Sequence, residues 1–369
     1  MKRSIAHPRE FIHENVAERL RSFGLEAERL RKLHADQLST IHEENWLNMY
    51  VPLNFGGAGL SLPEILRIEE GVSCADGSSG WVVTLCSGAA WFIGFLDPMV
   101  AAETFKSNNV CFAGSGAING IAKRSAKGYE INGYWPYATG SLVATVFTVN
   151  CLVFENGIQS CGPDGNPLVR SFLLMAEEVT VHRTWSAMGM IATGSHSIEA
   201  RNITVPENRS FTIDPKCALL PDVVFRYPFQ QLAECTLTIN LSGLACRFLD
   251  LAEAKLRGKS NGSYDPLIAE ERFKLNNARR NFYHVTDSSW DNLTAMGHIS
   301  QETLSSVTEV CGELAERCAE VVIRLYPFCG LEAADMFKEI NRVWRNFNTA
   351  IQHTIFRKLR TDARDASRY

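Results

Sequence analysis

The residues of this chain best suited to holding a flat ring lie together between Gly128 and Ser141, in GYEINGYWPYATGS. Trp135 supplies a broad apolar face, Thr139 and Ser141 supply hydroxyls for polar edge atoms, and Gly140 lets backbone approach a ligand closely. That set suits the wall of a site for a planar heterocycle. It also suits a core tryptophan followed by a plain turn, since Thr-Gly-Ser is common turn chemistry. The nine histidines form no ligand pair at helical spacing, so no metal site is expected. The eleven cysteines are odd in number, lack a C-x-x-C pair and sit among apolar residues, as at Cys86, Cys111, Cys151 and Cys246. They read as reduced, buried thiols of a cytoplasmic protein.

A chain of 369 residues exceeds the size of one core, so two or three packed units must position these groups. The 46% hydrophobic and 21% charged shares are those of an ordinary globular protein. A net charge of -4 without a basic stripe excludes a general nucleic-acid binder. The apolar runs read as too short to cross a bilayer, and MKRSIAHPREF lacks the apolar stretch of a secretory signal.

Residues 1–106 read as helical. Leu30, Leu33 and Ile41 fall near one helical face, and ADGSSGWVVTLCSGAAWF reads as a buried helix packed closely through its small residues. Ser61-Leu62-Pro63-Glu64 is a capping box with proline in the first turn, and Asp97-Pro98 is a second helix start. Residues 107–215 change character. Val110–Ser115, Tyr129–Tyr137, Leu142–Phe154, Arg170–Ala176 and Ser197–Val205 are rich in β-branched and aromatic residues, with GSGAINGIA and ENGIQSCGPDGNP as separators, which predicts an antiparallel β-domain. From 216 to 369 the helical period returns. Leu237, Leu241, Leu244, Phe248 and Leu251 form one stripe and Val307, Val310, Leu314, Val321 and Leu325 another; with 264–297 and 335–360 they predict a four-helix bundle. The fold class is therefore α+β, mostly α.

That order of domains resembles the acyl-CoA dehydrogenase superfamily of flavoproteins, and five stretches resemble it in sequence. They are VPLNFGGAGLS, ADGSSGW, CFAGSG with GYEINGYWPYATGS, GMIATGSHSIEARNITVPENRSF, and RVWRNFNTAIQHTIF. The resemblance implies a flavin between the middle domain and the bundle. It places Phe112, Gly114 and Ser115 on the pyrimidine side, Trp135 near the dimethylbenzene-to-N5 region, and Thr139 or Ser141, flanking Gly140, within reach of N5.

Two departures separate the branches. The superfamily's usual glutamate base falls at Ala350-Ile351-Gln352-His353-Thr354, where no carboxylate stands, and Glu234 lies about two residues out of register for the alternative base. The two-component monooxygenases carry a histidine on this C-terminal helix and a Trp-x-x-x-Ser-Gly segment, which Trp135–Gly140 approximates. The resemblance to them implies hydroxylation of an aromatic or phenolic substrate through a C4a-hydroperoxyflavin, with His353 as proton acceptor and Thr139 at the flavin. It implies FAD or FMN, a separate flavin reductase, a small-molecule substrate, no membrane or nucleic-acid partner, and a homo-oligomer, dimer or tetramer.

Other readings stay open. His353 is equally a structural histidine on a helix face. The FAD motifs are eroded in KLRGKSNGSYDP and LYPFCGLEAA, where only Gly330 remains. Arg342, Arg345, Arg279 and Arg280 read as solvated or interface-paired faces, and His196 and Glu199 as solvent-facing on the closing strand. Phe225, Phe229, Trp290 and Met188–Met190 read as pocket or, more simply, as core. The alternatives are an acyl-CoA dehydrogenase using Glu234 and a non-catalytic flavin-binding or scaffold homologue.

Overall fold

The computed structural model describes residues 5–107, 109–257 and 262–359. Six helices come first: α1 (Glu14–Ser22), α2 (Gly24–Leu30), α3 (Ala35–Glu43), α4 (Leu62–Ala75), α5 (Gly77–Ala90) and α6 (Pro98–Thr104). The start signals act as the sequence predicts. Glu64 accepts from the Ser61 amide at 2.8 Å, and Asp97 accepts from the Met99 amide at 2.9 Å. Leu30, Leu33 and Ile41 do not share a helix, because Arg31 takes a left-handed conformation (φ 55°) that ends α2 and leaves Leu30 exposed. Asp76 both ends α4 and caps α5, accepting from the Ser79 amide at 2.9 Å. The two helices then pack at backbone distance, since a Cβ on Gly80 would lie 2.5 Å from Ser73 Cα. Contrary to the expectation from apolar run length, the 19 residues Gly77–Phe95 are long and apolar enough to span a bilayer. They are 89% buried inside the fold, so packing uses that apolar surface.

Eight strands follow: β1 (Phe112–Ser125), β2 (Gly128–Ala138), β3 (Val146–Glu155), β4 (Ile158–Gln159), β5 (Val169–Met175), β6 (Thr180–His182), β7 (His196–Val205) and β8 (Ser210–Phe211). They form one sheet in the order β6-β7-β2-β1-β3-β5-β8, with β4 on β3. GSGAINGIA is part of a long, bulged β1 rather than a separator, and Leu142–Thr145 is a turn before β3. One pair departs from the antiparallel expectation: β1 and β3 are parallel. With β2 antiparallel on the other side of β1, the chain leaving β2 must pass beneath the start of β1 to enter β3. Residues 139–145 make that crossing, held by the Thr145 amide donating to Cys111 O at 2.9 Å. The crossing brings Thr139 beside Gly114–Gly116.

The bundle consists of α7 (Phe229–Arg257), α8 (Asp265–Met296), α9 (Gln301–Leu325) and α10 (Glu339–Ala350). The fourth helix is shorter than 335–360, because a turn at 351–353 interrupts it before a further helical stretch at 354–359. α7 lies against α4 as closely as backbone allows; a Cβ on Gly243 would sit 2.4 Å from Glu70 O. At this contact Arg279 of α8 is fully buried, not solvated. Its guanidinium donates to Glu70 at 2.6 and 2.8 Å, and the Tyr283 hydroxyl donates to the same carboxylate at 2.8 Å. Arg280, half-buried, donates to Asn277 Oδ1 at 2.6 Å.

Candidate active site

A cavity of about 210 Å³ opens between the sheet and helices α5 and α7. Helical spacing builds two of its walls. On α7, Phe229, Leu232, Ala233, Thr236 and Leu237 recur at i, i+3, i+4, i+7 and i+8. On α5 and the turn after it, Thr84, Leu85, Gly88, Ala89 and Phe92 recur at i, i+1, i+4, i+5 and i+8, again one helical face, and the Phe92 and Phe229 rings close one end with centroids 5.2 Å apart. The third wall is the sheet: Gly114, Ser115 and Gly116 of β1, Thr148 and Asn150 of β3, and Ser171 of β5. Strand alternation turns Thr148 and Asn150 to the cavity and buries Val149 and Cys151 in the β-domain core. Asn150 is held on both sides, its Oδ1 accepting from Ser171 Oγ at 2.7 Å and its Nδ2 donating to Gly116 O at 3.2 Å. Among the described residues, no charged side chain lines the cavity.

Thr139 reaches the cavity, and its hydroxyl lies 2.8 Å from Ser195 Oγ. Ser195 lies 2.7 Å from Thr193 Oγ1, which donates to Met190 O at 2.9 Å. α10 pins this 188–195 loop. The Met190 amide donates to Asn346 Oδ1 at 2.6 Å, Arg345 donates to Met188 O at 2.8 Å, and a Cβ on Gly189 would lie 2.1 Å from Arg345 O. Arg345 and Arg342 are thus buried and structural, not solvated: Arg345 also pairs with Glu28 at 2.7 Å, and Arg342 lies against Gly24, beside Asp76.

Several residues predicted for the site stand elsewhere. Trp135 is fully buried in the β-domain core, where its ring fills a slot left by Gly120 and Gly133, and its Nε1–H donates to Asn150 O at 3.0 Å. It backs the sheet wall instead of forming it. The reason is a β-bulge: Trp135 pairs with Ile198 and Ala138 with His196, so β2 has one extra residue, with Tyr137 left-handed (φ 63°). Trp135 and Thr139, four apart, would otherwise share a face. Phe112 is buried and stacks on Phe105, with centroids 5.7 Å apart. Gly140 (φ 76°) and Ser141 shape the crossing turn; the Gly140 amide donates to Thr193 O at 2.9 Å and Ser141 Oγ to Gly194 O at 2.6 Å. Gly114, Ser115 and Thr139 of the predicted set do line the cavity.

His353 does not line the cavity. Its ring packs edge-on against Trp81, one helical turn before Thr84 and Leu85, with centroids 6.0 Å apart. Nδ1 accepts from the Ile355 amide at 3.3 Å, and burial holds the imidazole below its ordinary pKa, so the neutral ring carries its proton on Nε2. Glu234 is buried and turned to α9, accepting from Gln230 at 2.9 Å and from Thr308 at 2.6 Å. His196 is buried, not solvent-facing, and accepts from the Trp185 amide at 3.0 Å; Glu199 is half-buried and bonded to His182 at 2.8 Å. Of the aromatic pocket candidates only Phe229 lines the cavity; Phe225 is core beneath Trp91, and Trp290 packs on the same core.

Sequence reasoning missed Thr193 and Ser195, and the sheet residues Thr148, Asn150 and Ser171. The available signal was polar residues at alternate positions of otherwise apolar strands, as in Thr148-Val149-Asn150.

Residues 245–358 match the family model for the acyl-CoA dehydrogenase C-terminal domain. The chain has the fold of that superfamily, and its curated relatives include monooxygenases and hydroxylases, several of them flavin-dependent by name. It is 26% identical over 316 residues to an indole-3-acetate monooxygenase of Acinetobacter baumannii, covering 82% of this chain and 79% of that enzyme. It is 24% identical to the oxygenase component of an FADH(2)-dependent resorcinol hydroxylase of Rhizobium sp., over 53% of this chain and 47% of that one. Among solved structures, XiaF from Streptomyces sp. in complex with FADH2 and glycerol superposes with a TM-score of 0.81 at 21% identity, covering 93% of this chain and 91% of XiaF.

The cavity fits a flat heterocyclic ring. A Cβ built on Gly88 or Gly116 meets no atom within 4 Å, so both glycines leave open space in the walls. Hydroxyl and amide groups stand on the sheet side, and the helix side is mostly apolar with the Thr84 and Thr236 hydroxyls among it, a mix that suits the polar edge and apolar faces of a flavin.

Proposed function

We propose that this protein is the oxygenase of a two-component monooxygenase that hydroxylates an aromatic or phenolic substrate with reduced FMN or FAD from a separate reductase. One observation carries the reading: a cavity of about 210 Å³ lined by Thr139 and by no carboxylate among its described lining residues. A dehydrogenase acting on acyl thioesters needs a base at the α-carbon, and Glu234 is engaged with α9 instead. The named activities of the relatives support the same reading.

Reduced flavin, when bound, supplies the two electrons and the activation of dioxygen. The chain's residues bind, orient and shield. Gly88 and Gly114–Gly116 admit the ring, Thr139 offers its hydroxyl to the ring's edge, and Leu85, Phe92, Phe229, Leu232 and Leu237 exclude water. His353 stands off the cavity with its half-buried ring packed on Trp81, so its proposed role is positioning rather than proton transfer. A homo-oligomer and a cytoplasmic location belong to the same proposal. Exposed Phe328, Leu331, Met336 and Phe337 crowd the segment between α9 and α10, and none of the eleven cysteines is in a disulfide.

The test is to supply purified protein with reduced FMN or FAD, isotopically labelled dioxygen and a panel of phenols and indoles. One labelled oxygen in a hydroxylated product is expected. Bound oxidised flavin bleached anaerobically by an acyl-CoA, with no oxygenated product in air, would overturn the proposal.

A further inference from the structure

Thr139, Ser195 and Thr193 form a chain of hydroxyls that runs from the cavity into the fold, exposed by only 5%, 4% and 2%. A hydroxyl has one proton to donate. The far end of the chain is anchored on a carbonyl, which has none: Thr193 Oγ1 lies 2.9 Å from Met190 O. Thr193 therefore donates to Met190. The 2.7 Å contact must then be donated by Ser195, and the 2.8 Å contact by Thr139. Every proton in the chain points away from the cavity, and Thr139 presents lone pairs to it.

We propose that Thr193 and Ser195 are positioning residues that fix Thr139 as an acceptor and so make the cavity selective for the reduced state of the flavin. The proposal rests on the flavin reading above. Reduction converts N5 of the isoalloxazine from an acceptor into an N–H donor and converts no ring donor into an acceptor. An acceptor-only group on the wall therefore gains a partner on reduction and loses one on oxidation.

To donate to oxidised N5 the whole chain must reverse. Ser195 would donate to Thr139 and Thr193 to Ser195, and Met190 O would lose the Thr193 hydroxyl while keeping the Thr193 amide at 3.2 Å and Trp185 Nε1–H at 2.8 Å. One buried neutral hydrogen bond is thereby unmade, which corresponds to roughly a three- to tenfold preference for reduced flavin. The arrangement suits an enzyme that receives its flavin reduced and must release it oxidised.

Dissociation constants for oxidised FMN and FAD, and anaerobically for their reduced forms, are to be measured for the wild type, Thr193→Val, Thr193→Ser and Ser195→Ala. The expected wild type binds reduced flavin more tightly. Thr193→Val frees Ser195 to donate to Thr139, so the preference falls roughly three- to tenfold; for a two-electron couple that lowers the bound flavin's potential by about 15–30 mV. Ser195→Ala, which frees Thr139 itself, lowers it similarly, and Thr193→Ser restores it. A merely structural role would weaken both redox states together and leave their ratio unchanged. That result in folded, flavin-binding Thr193→Val and Ser195→Ala proteins would overturn the proposal while leaving the flavin reading intact. A wild type that takes up neither flavin in either state would overturn both.

Discussion

Two glycines on one helix should respond to the same substitution with opposite signs. Gly88 faces the cavity from α5, and a Cβ there meets nothing within 4 Å, so Gly88→Ala adds a methyl to open space. A helix-interior glycine costs about 0.5–1 kcal/mol relative to alanine, and Gly88→Ala should recover that. In a chain of this size the gain raises Tm by about 1–3 °C. Gly80 lies on the same helix, but its Cβ would sit 2.5 Å from Ser73 Cα and 2.8 Å from Ser73 Cβ. Backbone must move there, at about 1–3 kcal/mol, so Gly80→Ala should be net destabilising despite the same propensity gain. Gly88→Leu should keep most of the helical gain while its branch crosses the ring space, weakening flavin retention at least about tenfold, or about 1.4 kcal/mol. Thermal unfolding and flavin titration of the three variants read both effects. A lower Tm in Gly88→Ala would show that the space serves packing. Undiminished flavin binding in Gly88→Leu would show that the ring lies elsewhere.

Further outcomes follow from buried charge. Glu69 is fully buried, its Oε2 has no protein partner, and burial raises its pKa from 4.5 to about 8. A carboxyl raised in the folded state contributes fully below its unfolded pKa, and stability is lost as pH climbs towards 8. Glu69→Gln should therefore gain on the wild type between pH 5 and pH 8, by up to about 3 kcal/mol at about 1.4 kcal/mol per pKa unit. Urea unfolding at the two pH values checks it, and parallel pH profiles would refute it. Glu70→Gln strands the buried Arg279 guanidinium and should cost about 3–5 kcal/mol, read as a lower urea midpoint; a loss under about 1 kcal/mol would refute that account.

Much of the architecture was readable along the chain because its signals are local. Asp97-Pro98 and Ser61–Glu64 open helices through bonds made within one turn, and α5 announces its burial by small residues. β-branched runs located β2, β3, β5 and β7, and helical stripes located α7 and α9. Charge placement was less readable. Arg279, Arg342 and Arg345 looked like surface residues because their partners lie on helices far away in sequence.

The Trp135–Ser141 segment shows where local information ends. Its residue types marked a candidate wall for a ring, of which Thr139 lines the cavity, and the domain order sufficed to name a flavin superfamily. Which residues face the cavity was decided by the bulge at Tyr137, which reverses the alternation between Trp135 and Thr139, and by the slot that Gly120 and Gly133 open for the indole. The direction of Thr139's proton was decided further still, by Ser195, Thr193 and Met190 O on a loop that α10 holds in place. Residue types belong to the sequence, but facing and hydrogen-bond polarity depend on pairings between strands and loops more than fifty residues apart, and only the folded chain makes those.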